Sequence, residues 1–155
     1  MILFTTGCLS TNSDNNFGKP TLKTPYDEKY EKIQKYLKKA QNFTYRSDQE
    51  LFYIKDYWQN PDEIEINQAG DCEDKSLWLY SKLIKEGFSD IRLVIGKFNV
   101  NDVVNHMWVA WYTNDGVFIL DATSKYGPIK IINLPENYYK PLYSYYKNQK
   151  WEHIS

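Results

Sequence analysis

The sequence has few of the residues that define several common classes of protein. Only two of its 155 residues are cysteine, Cys8 and Cys72, so a framework of several disulfides is excluded. Only two are histidine, His106 and His153. Nineteen basic residues nearly balance twenty acidic ones, and the net charge of −1 gives no general attraction to nucleic acid or anionic lipid. We therefore expect no nucleic-acid partner.

The composition is that of a soluble globular domain. Hydrophobic residues make up 42% of the chain and charged residues 25%, which argues against a disordered protein and against a membrane-spanning one. A chain of this length fits one compact domain. We expect that domain over residues 25–155. Residues 1–24 are expected to be a signal remnant or a flexible tether, since 9–24 are rich in serine, threonine and asparagine.

The first eight residues resemble the end of a bacterial lipoprotein signal, in which a small residue precedes a cysteine that becomes lipidated. Gly7 and Cys8 fit this pattern. The apolar stretch before them is shorter than the roughly 7 to 15 residues of a signal peptide, and it has no basic segment ahead of it. A true start codon upstream of Met1 would explain both differences. The alternative is an unstructured cytosolic N-terminus with a chance cysteine, and both explanations stay open.

Helical patterns fill the first half of the domain. Thr24 can cap a helix that begins at Pro25, because Asp27 lies three residues further on and apolar residues then recur at helical spacing. Short helices are expected over 50–57 and from Asn60-Pro61 onwards. A longer helix is expected over 71–86, ended by Gly87.

Strand patterns fill the second half. Runs rich in β-branched and aromatic residues predict strands over 91–98, 103–113, 117–121 and 129–133, and Asn114-Asp115-Gly116 predicts a hairpin between the second and third. Helices followed by antiparallel strands make an α+β domain. Aromatic residues near the C-terminus are expected to cover a sheet edge or a helix: Tyr138, Tyr139, Tyr143, Tyr145, Tyr146 and Trp151.

Cys72 is the candidate nucleophile. It falls in the first turn of the predicted helix 71–86, where unpaired N–H groups and the helix dipole lower a thiol pKa. A cysteine nucleophile also needs a base, and His106 in the strand region is a better candidate than His153 near the C-terminus. Asp121, at the end of the following strand, is the candidate for the carboxylate that orients His106.

The register of the hairpin decides whether His106 and Asp121 share a face. With Asn114-Asp115 as a two-residue loop, His106 lies opposite Thr123, and Asp121 is its diagonal neighbour at roughly 7 to 8 Å. An unbulged three-residue loop would place Asp121 on the opposite face. Because a single histidine near a carboxylate is usually structural, spacing alone leaves the role of the pair open.

Three motifs resemble those of the transglutaminase-like cysteine enzymes, in order and approximate spacing. They are Gly70-Asp71-Cys72-Glu73-Asp74, His106-Met107-Trp108 and Leu120-Asp121-Ala122-Thr123. With Tyr57-Trp58 and Pro61 ahead of them, the chain is most similar to the bacterial transglutaminase-like cysteine proteinases. These are periplasmic, calcium-dependent proteases that release large surface adhesins. The resemblance covers roughly residues 50 to 123.

This resemblance implies a papain-like or transglutaminase-like core, with N-terminal helices and a catalytic cysteine at a helix start packed on an antiparallel sheet. Cys72 would attack an amide carbonyl of a protein or peptide, such as a cell-surface protein, with His106 as base and Asp121 as its orienting acid. The Cys72 backbone N–H, aided by Gln68 or Trp58, would form the oxyanion hole. The protein would act outside the cytoplasm, and only a lipid on Cys8 would attach it to a membrane.

Two other activities fit the same residues. One is a protein-glutamine transglutaminase, in which an amine replaces water as acceptor. The other is a catalytically inactive domain that binds peptide in the same groove. A complete Cys, His and Asp set argues against the inactive domain.

The acidic residues around Cys72 need their own explanation, because nearby negative charges should raise the thiol pKa. One explanation is helix capping, in which Asp71 caps the helix and Glu73 and Asp74 bind first-turn N–H groups. The other, which the resemblance implies for Asp71 and Glu73, is that these carboxylates with Asp74 bind Ca²⁺. Both stay open on the sequence.

Overall fold

Helices occupy the first half of the domain, as the sequence predicts. A computed structural model describes residues 23–154, so Cys8 and most of the predicted tether lie outside the described residues. The helices are α1 (Pro25–Asn42), α2 (Asp48–Phe52), α3 (Pro61–Asn67) and α4 (Cys72–Lys85). α2 is shorter than the predicted 50–57, because Tyr53 adopts a left-handed conformation with φ +60° and ends it.

The first helix begins where its capping residues place it. The Asp27 N–H donates to the Thr24 hydroxyl at 3.2 Å, and the Asp27 carboxylate accepts from the Thr24 N–H at 2.9 Å. Asn60 and Glu63 form the same reciprocal box at the start of α3. Each box pairs backbone donors that a helix end would otherwise leave unpaired. Both predicted helix starts are confirmed.

The strands form an antiparallel sheet in the order β6-β5-β4-β3-β7-β8. Their bounds are β3 (Ile91–Asn99), β4 (His106–Thr113), β5 (Gly116–Leu120), β6 (Ile129–Lys130), β7 (Tyr138–Tyr146) and β8 (Gln149–Glu152). A separate parallel pair joins β1 (Thr44–Tyr45) to β2 (Ala69–Gly70). β4 starts later than the predicted 103, and β6 gives way to a 3-10 turn at Ile131–Asn133.

The tyrosine-rich end differs from the prediction. Rather than covering a sheet edge or a helix, it supplies two strands of the sheet, with β7 paired to β3 and β8 paired to β7. Pro141 and the left-handed Tyr139 interrupt the strand pattern of β7, and the β3–β7 register shifts between Ile95 and Gly96. The segment therefore pairs as a strand without having the sequence pattern of a regular one.

The core lies between the helices and one face of the sheet. Buried apolar residues of α1 and α4 pack in one cluster with alternate residues of β4 and β5, among them Leu37, Trp78, Leu83, Val109, Trp111 and Leu120. Because this cluster is continuous, α4 is held firmly against β4. Within residues 23–154, no helix combines the length and the apolar character needed to cross a membrane.

Candidate active site

The start of α4 lies against the start of β4. Cys72 is the first residue of α4, and its sulfur accepts a hydrogen bond from the backbone N–H of Met107. One turn further along α4, the Ser76 hydroxyl donates to the Met107 carbonyl at 2.9 Å. These two bonds engage both the N–H and the carbonyl of Met107, the residue that follows His106. The fold therefore brings Cys72 and His106 to the same junction.

The hairpin between β4 and β5 places His106 and Asp121 together. Thr113 pairs with Gly116, so Asn114-Asp115 is a two-residue loop, and Gly116 takes a left-handed φ of +116° that favours glycine. In this register the two side chains share a face, and His106 Nε2 lies 2.8 Å from Asp121 Oδ2. The predicted loop and the predicted contact are both confirmed.

The Asp121 carboxylate accepts hydrogen bonds on both oxygens. Oδ1 accepts from the Thr123 N–H and the Thr123 hydroxyl, each at 2.7 Å. Oδ2 accepts from the Tyr139 hydroxyl at 2.8 Å, in addition to its contact with His106. Burial alone would raise the pKa of Asp121, but the bonds from His106 and Thr123 outweigh it and lower the pKa below its ordinary value.

An ionised Asp121 decides which nitrogen of His106 carries the proton. A carboxylate can only accept hydrogen bonds, so the Nε2 that touches Asp121 must be the donor. In the neutral ring, Nδ1 is then left as the acceptor. The His106 ring also packs edge-on to Phe98, with 5.9 Å between centroids, and its side chain is only 16% exposed. The arrangement suits a base held in one tautomer.

The thiol of Cys72 does not have the lowered pKa expected at a helix start. Burial raises the pKa, and Glu73 raises it further, since the Cys72 sulfur donates to Glu73 Oε2 at 3.1 Å. The Met107 N–H acts in the opposite direction without overcoming these two effects. The helix terminus is therefore insufficient to make a thiolate, and Cys72 needs a separate base to remove its proton.

An acidic cluster surrounds the start of α4 and includes two residues, Asp48 and Asp56, that the sequence motifs do not indicate. Carboxylate oxygens of Asp48, Asp71 and Asp74 lie within 4.8 Å of one another, as do those of Asp48, Asp56 and Glu73. Asp48 belongs to α2 and is 3% exposed. In the sequence Asp48 precedes the predicted helix 50–57 and is 24 positions from Cys72, so only the fold reveals this grouping.

The carboxylates of this cluster are incompletely paired. Asp48 Oδ1 and Asp71 Oδ1 are buried and have no hydrogen-bond partner among residues 23–154. Burial first, then Glu73, raise the pKa of Asp71 to about 8. Asp71 occupies the N-cap position of α4 without making a side-chain cap bond, so the capping explanation is wrong for this residue. Crowded, unpaired carboxylate oxygens fit a hard cation such as Ca²⁺.

The Asp74 carboxylate, unlike that of Asp71, has hydrogen-bond partners on both oxygens. It is 1% exposed, and its two oxygens accept from the Gln59 backbone N–H at 2.7 Å and the Gln59 side-chain amide at 2.6 Å. These bonds fasten the segment before α3 to α4. Because both oxygens of Asp74 accept from Gln59, Asp74 offers a less free ligand than Asp71.

The structure bears differently on the two residues predicted to donate to the oxyanion, Gln68 and Trp58. Gln68 is exposed, has φ +52° at the end of α3, and its side-chain amide donates to the Glu65 carbonyl at 2.5 Å. Its amide therefore caps α3, which does not support a role for it as an oxyanion donor. Trp58 is 49% exposed, and its role stays a prediction.

Comparison with known families decides the class of protein. The sequence model of the bacterial transglutaminase-like cysteine proteinases (BTLCP) matches residues 7–155. The chain belongs to this family. It is a transglutaminase-like cysteine peptidase, as the sequence motifs predict, and membership of a protease family implies a protein substrate. A comparison with curated protein sequences gives no significant match.

Solved structures of Legionella pneumophila LapG have the same fold. An EGTA-treated form is 25% identical, with a TM-score of 0.68 over 86% of this chain and 70% of LapG. A calcium-bound form is 25% identical, with a TM-score of 0.64 over 84% of this chain and 70% of LapG. The predicted α+β, papain-like or transglutaminase-like fold is confirmed.

Proposed function

We propose that this peptidase hydrolyses an amide bond of a protein through an acyl-enzyme, with Cys72, His106 and Asp121 as its catalytic triad. His106 Nδ1 takes the thiol proton, and the sulfur attacks the carbonyl carbon. His106 then gives that proton to the departing amine, and water attacks the thioester to release the acid and regenerate the thiol. The observation that carries the proposal is the contact of the His106 Nε2 with a fully hydrogen-bonded Asp121.

The oxyanion of the tetrahedral intermediate needs donors at the nucleophile. The backbone N–H of Cys72 lies at the start of α4, where first-turn N–H groups are free of intrahelical bonds. We assign it this role, with Trp58 as the candidate second donor. Trp58→Phe keeps the ring bulk while removing the indole N–H, and we expect it to lower kcat more than it raises KM.

The hydrolysis proposal is tested by comparing the wild-type protein with Cys72→Ala on envelope proteins of the source organism. At least one envelope protein should yield fragments with the wild type and none with Cys72→Ala, because the variant lacks the nucleophile. Identical fragment patterns would count against proteolysis. Adding a labelled primary amine separates hydrolysis from transglutamination: cleavage without label supports a protease, whereas incorporation at glutamine supports a transferase.

We further propose that the substrate is a cell-surface protein and that the enzyme acts outside the cytoplasm, anchored by a lipid on Cys8. The support is the resemblance of the first eight residues to a lipoprotein signal, together with the motif resemblance to periplasmic proteases. Fractionation of cells tests it. The full chain should be found in the membrane fraction and Cys8→Ser in the soluble fraction, and equal distributions would contradict the anchor.

Calcium is the cofactor that we propose for the acidic cluster, with Asp48, Asp71 and Glu73 as its carboxylate ligands. The support is the pair of unpaired buried oxygens on Asp48 and Asp71. Asp48 also lies within 4.8 Å of Asp71 in one group of carboxylates and of Glu73 in another. Bound there, Ca²⁺ would neutralise the charge around Cys72 and order the start of α4.

Calorimetric titration with Ca²⁺ tests this site without an activity assay. Asp48→Asn should weaken binding about tenfold or more, since a charged ligand is lost. Asp62→Asn, the same change at an exposed position of α3, should bind as the wild type does. Equal affinities of the Asp48 variant and the wild type would remove Asp48 from the site, and full activity in excess EGTA would remove calcium from the mechanism.

A further inference from the structure

Tyr139 is a buried polar residue that touches the proposed triad from the tyrosine-rich end of the chain. It is 4% exposed, and its hydroxyl donates to Asp121 Oδ2 at 2.8 Å. The same oxygen lies 2.8 Å from His106 Nε2. Thr123 occupies the other oxygen of the carboxylate. Tyr139 is therefore the partner that shares an oxygen with the histidine.

The fold fixes the Tyr139 ring from several sides. Its backbone has φ +49°, an uncommon conformation for a bulky residue and one that persists only where the surroundings enforce it. The ring meets Trp108 edge-on at 5.3 Å and Phe98 edge-on at 5.2 Å between centroids. Just beyond Tyr139, the β3–β7 register shifts between Ile95 and Gly96. The irregular part of β7 thus places the Tyr139 hydroxyl against Asp121.

We propose that Tyr139 is a positioning residue, whose hydroxyl holds the Asp121 carboxylate at the rotation that keeps Oδ2 on His106 Nε2. A carboxylate with two oxygens offers about four acceptor sites, and here four donors fill them. If the hydroxyl is removed, Oδ2 keeps a single partner in a buried setting, and the carboxylate is free to turn away from the ring. This inference rests on the proposed triad, since Tyr139 acts only through Asp121.

The test compares Tyr139→Phe with Tyr138→Phe in the full chain. Each variant loses one hydroxyl and keeps its ring, and Tyr138 packs on the same Phe98 at 5.1 Å. Nitrogen-15 NMR of the imidazoles reports the His106 tautomer and the exchange rate of its Nε2–H. Only two histidines are present, so His153→Gln completes the assignment.

In Tyr139→Phe, we expect the His106 Nε2–H to exchange with solvent about tenfold faster or more, and its tautomer to become mixed. The initial rate of substrate cleavage should fall by about 10- to 100-fold, mainly through kcat, because small misplacements of a catalytic group cost rates of this size. Tyr138→Phe should match the wild type in both measurements. Circular dichroism checks that both variants are folded.

An unchanged His106 tautomer and Nε2–H exchange in Tyr139→Phe would overturn the inference, even if the variant is less active. The NMR readout needs no substrate, so it decides the question independently of the enzymatic proposal. If His106→Ala and Asp121→Asn cleave as fast as the wild type, the triad itself fails. If these two variants are inactive while Tyr139→Phe behaves as wild type, only the positioning role fails.

Discussion

The acidic residues around Cys72 oppose the ionisation of the nucleophile that they surround. Burial raises the thiol pKa, and Glu73 adds to the effect both as a charge and as a hydrogen-bond acceptor. A helix start, by contrast, offers only partial positive charge. Burial and the contact with Glu73 together outweigh it, so a position at a helix start suggests a more reactive thiol than the structure contains.

Glu73→Gln should therefore make Cys72 more reactive when calcium is withheld. Removing the charge stabilises the thiolate relative to the thiol, so we expect faster alkylation by iodoacetamide in EGTA, by severalfold to about tenfold. Cys8→Ser in all proteins leaves Cys72 as the single target. Glu63→Gln, a matched change at the start of α3, should have no effect. An unchanged rate in Glu73→Gln would show that Glu73 does not control the thiol.

Asp71 links the same cluster to the stability of the fold. Its pKa is raised from 3.8 to about 8, so the folded protein retains a proton that the unfolded chain has released over this range. The free energy of unfolding should therefore fall as the pH rises from 4 towards 8 in EGTA. Asp71→Asn removes this contribution and should be more stable than the wild type at the upper end.

Urea denaturation in EGTA at several pH values measures the effect. Asp62→Asn, whose side chain is exposed, should follow the wild-type curve. Parallel pH dependences of wild type and Asp71→Asn would show that the Asp71 carboxyl is ionised in the folded state throughout, in contradiction of the raised pKa.

The close approach of β3 to β7 supports β4, the strand that carries His106. Gly96 of β3 pairs with His106 on one side and Pro141 on the other. A methyl group on Gly96 would lie 2.7 Å from the Trp108 ring and would also collide with the Lys140 carbonyl. Because the contact with Lys140 involves backbone, relieving it would require one of the two strands to shift, at a cost in free energy.

Gly96→Ala should lower the free energy of unfolding by roughly 1–3 kcal/mol, as overpacked interiors do. Chemical denaturation measures the change. Gly127→Ala is the control, since a methyl group there meets no atom within 4 Å and the residue is exposed. Equal stability of the two variants would mean that the strands separate more readily than their contacts indicate.

Local signals explain which parts of the fold and site the sequence predicts. Thr24 and Asn60 cap their helices by bonds within four residues, and Asn114-Asp115-Gly116 sets the hairpin register, so the contact of His106 with Asp121 follows from neighbouring residues. β7 and Asp48 have no such signal. Their roles depend on contacts with distant segments. Pro141 interrupts the strand pattern of β7, and Asp48 lies outside the predicted helix 50–57, so neither indicates its partner in the sequence.

The proposed site lies where three parts of the fold meet. α4 brings Cys72, the β4–β5 hairpin brings His106 and Asp121, and β7 brings Tyr139. The core between α4 and β4 holds the first two in place, and the acidic cluster lies where α2 approaches the start of α4. The proposed activity therefore depends on packing across the whole domain.

Cys72, His106 and Asp121 are proposed to act as one unit. The most direct test is the rate of Cys72 alkylation by iodoacetamide, in a Cys8→Ser background with calcium present, for His106→Ala, Asp121→Asn and the double variant. We predict that His106→Ala slows alkylation about tenfold or more and that the double variant is no slower than His106→Ala alone, since Asp121 acts through His106. A wild-type rate in His106→Ala, or losses that multiply in the double variant, would contradict the claim.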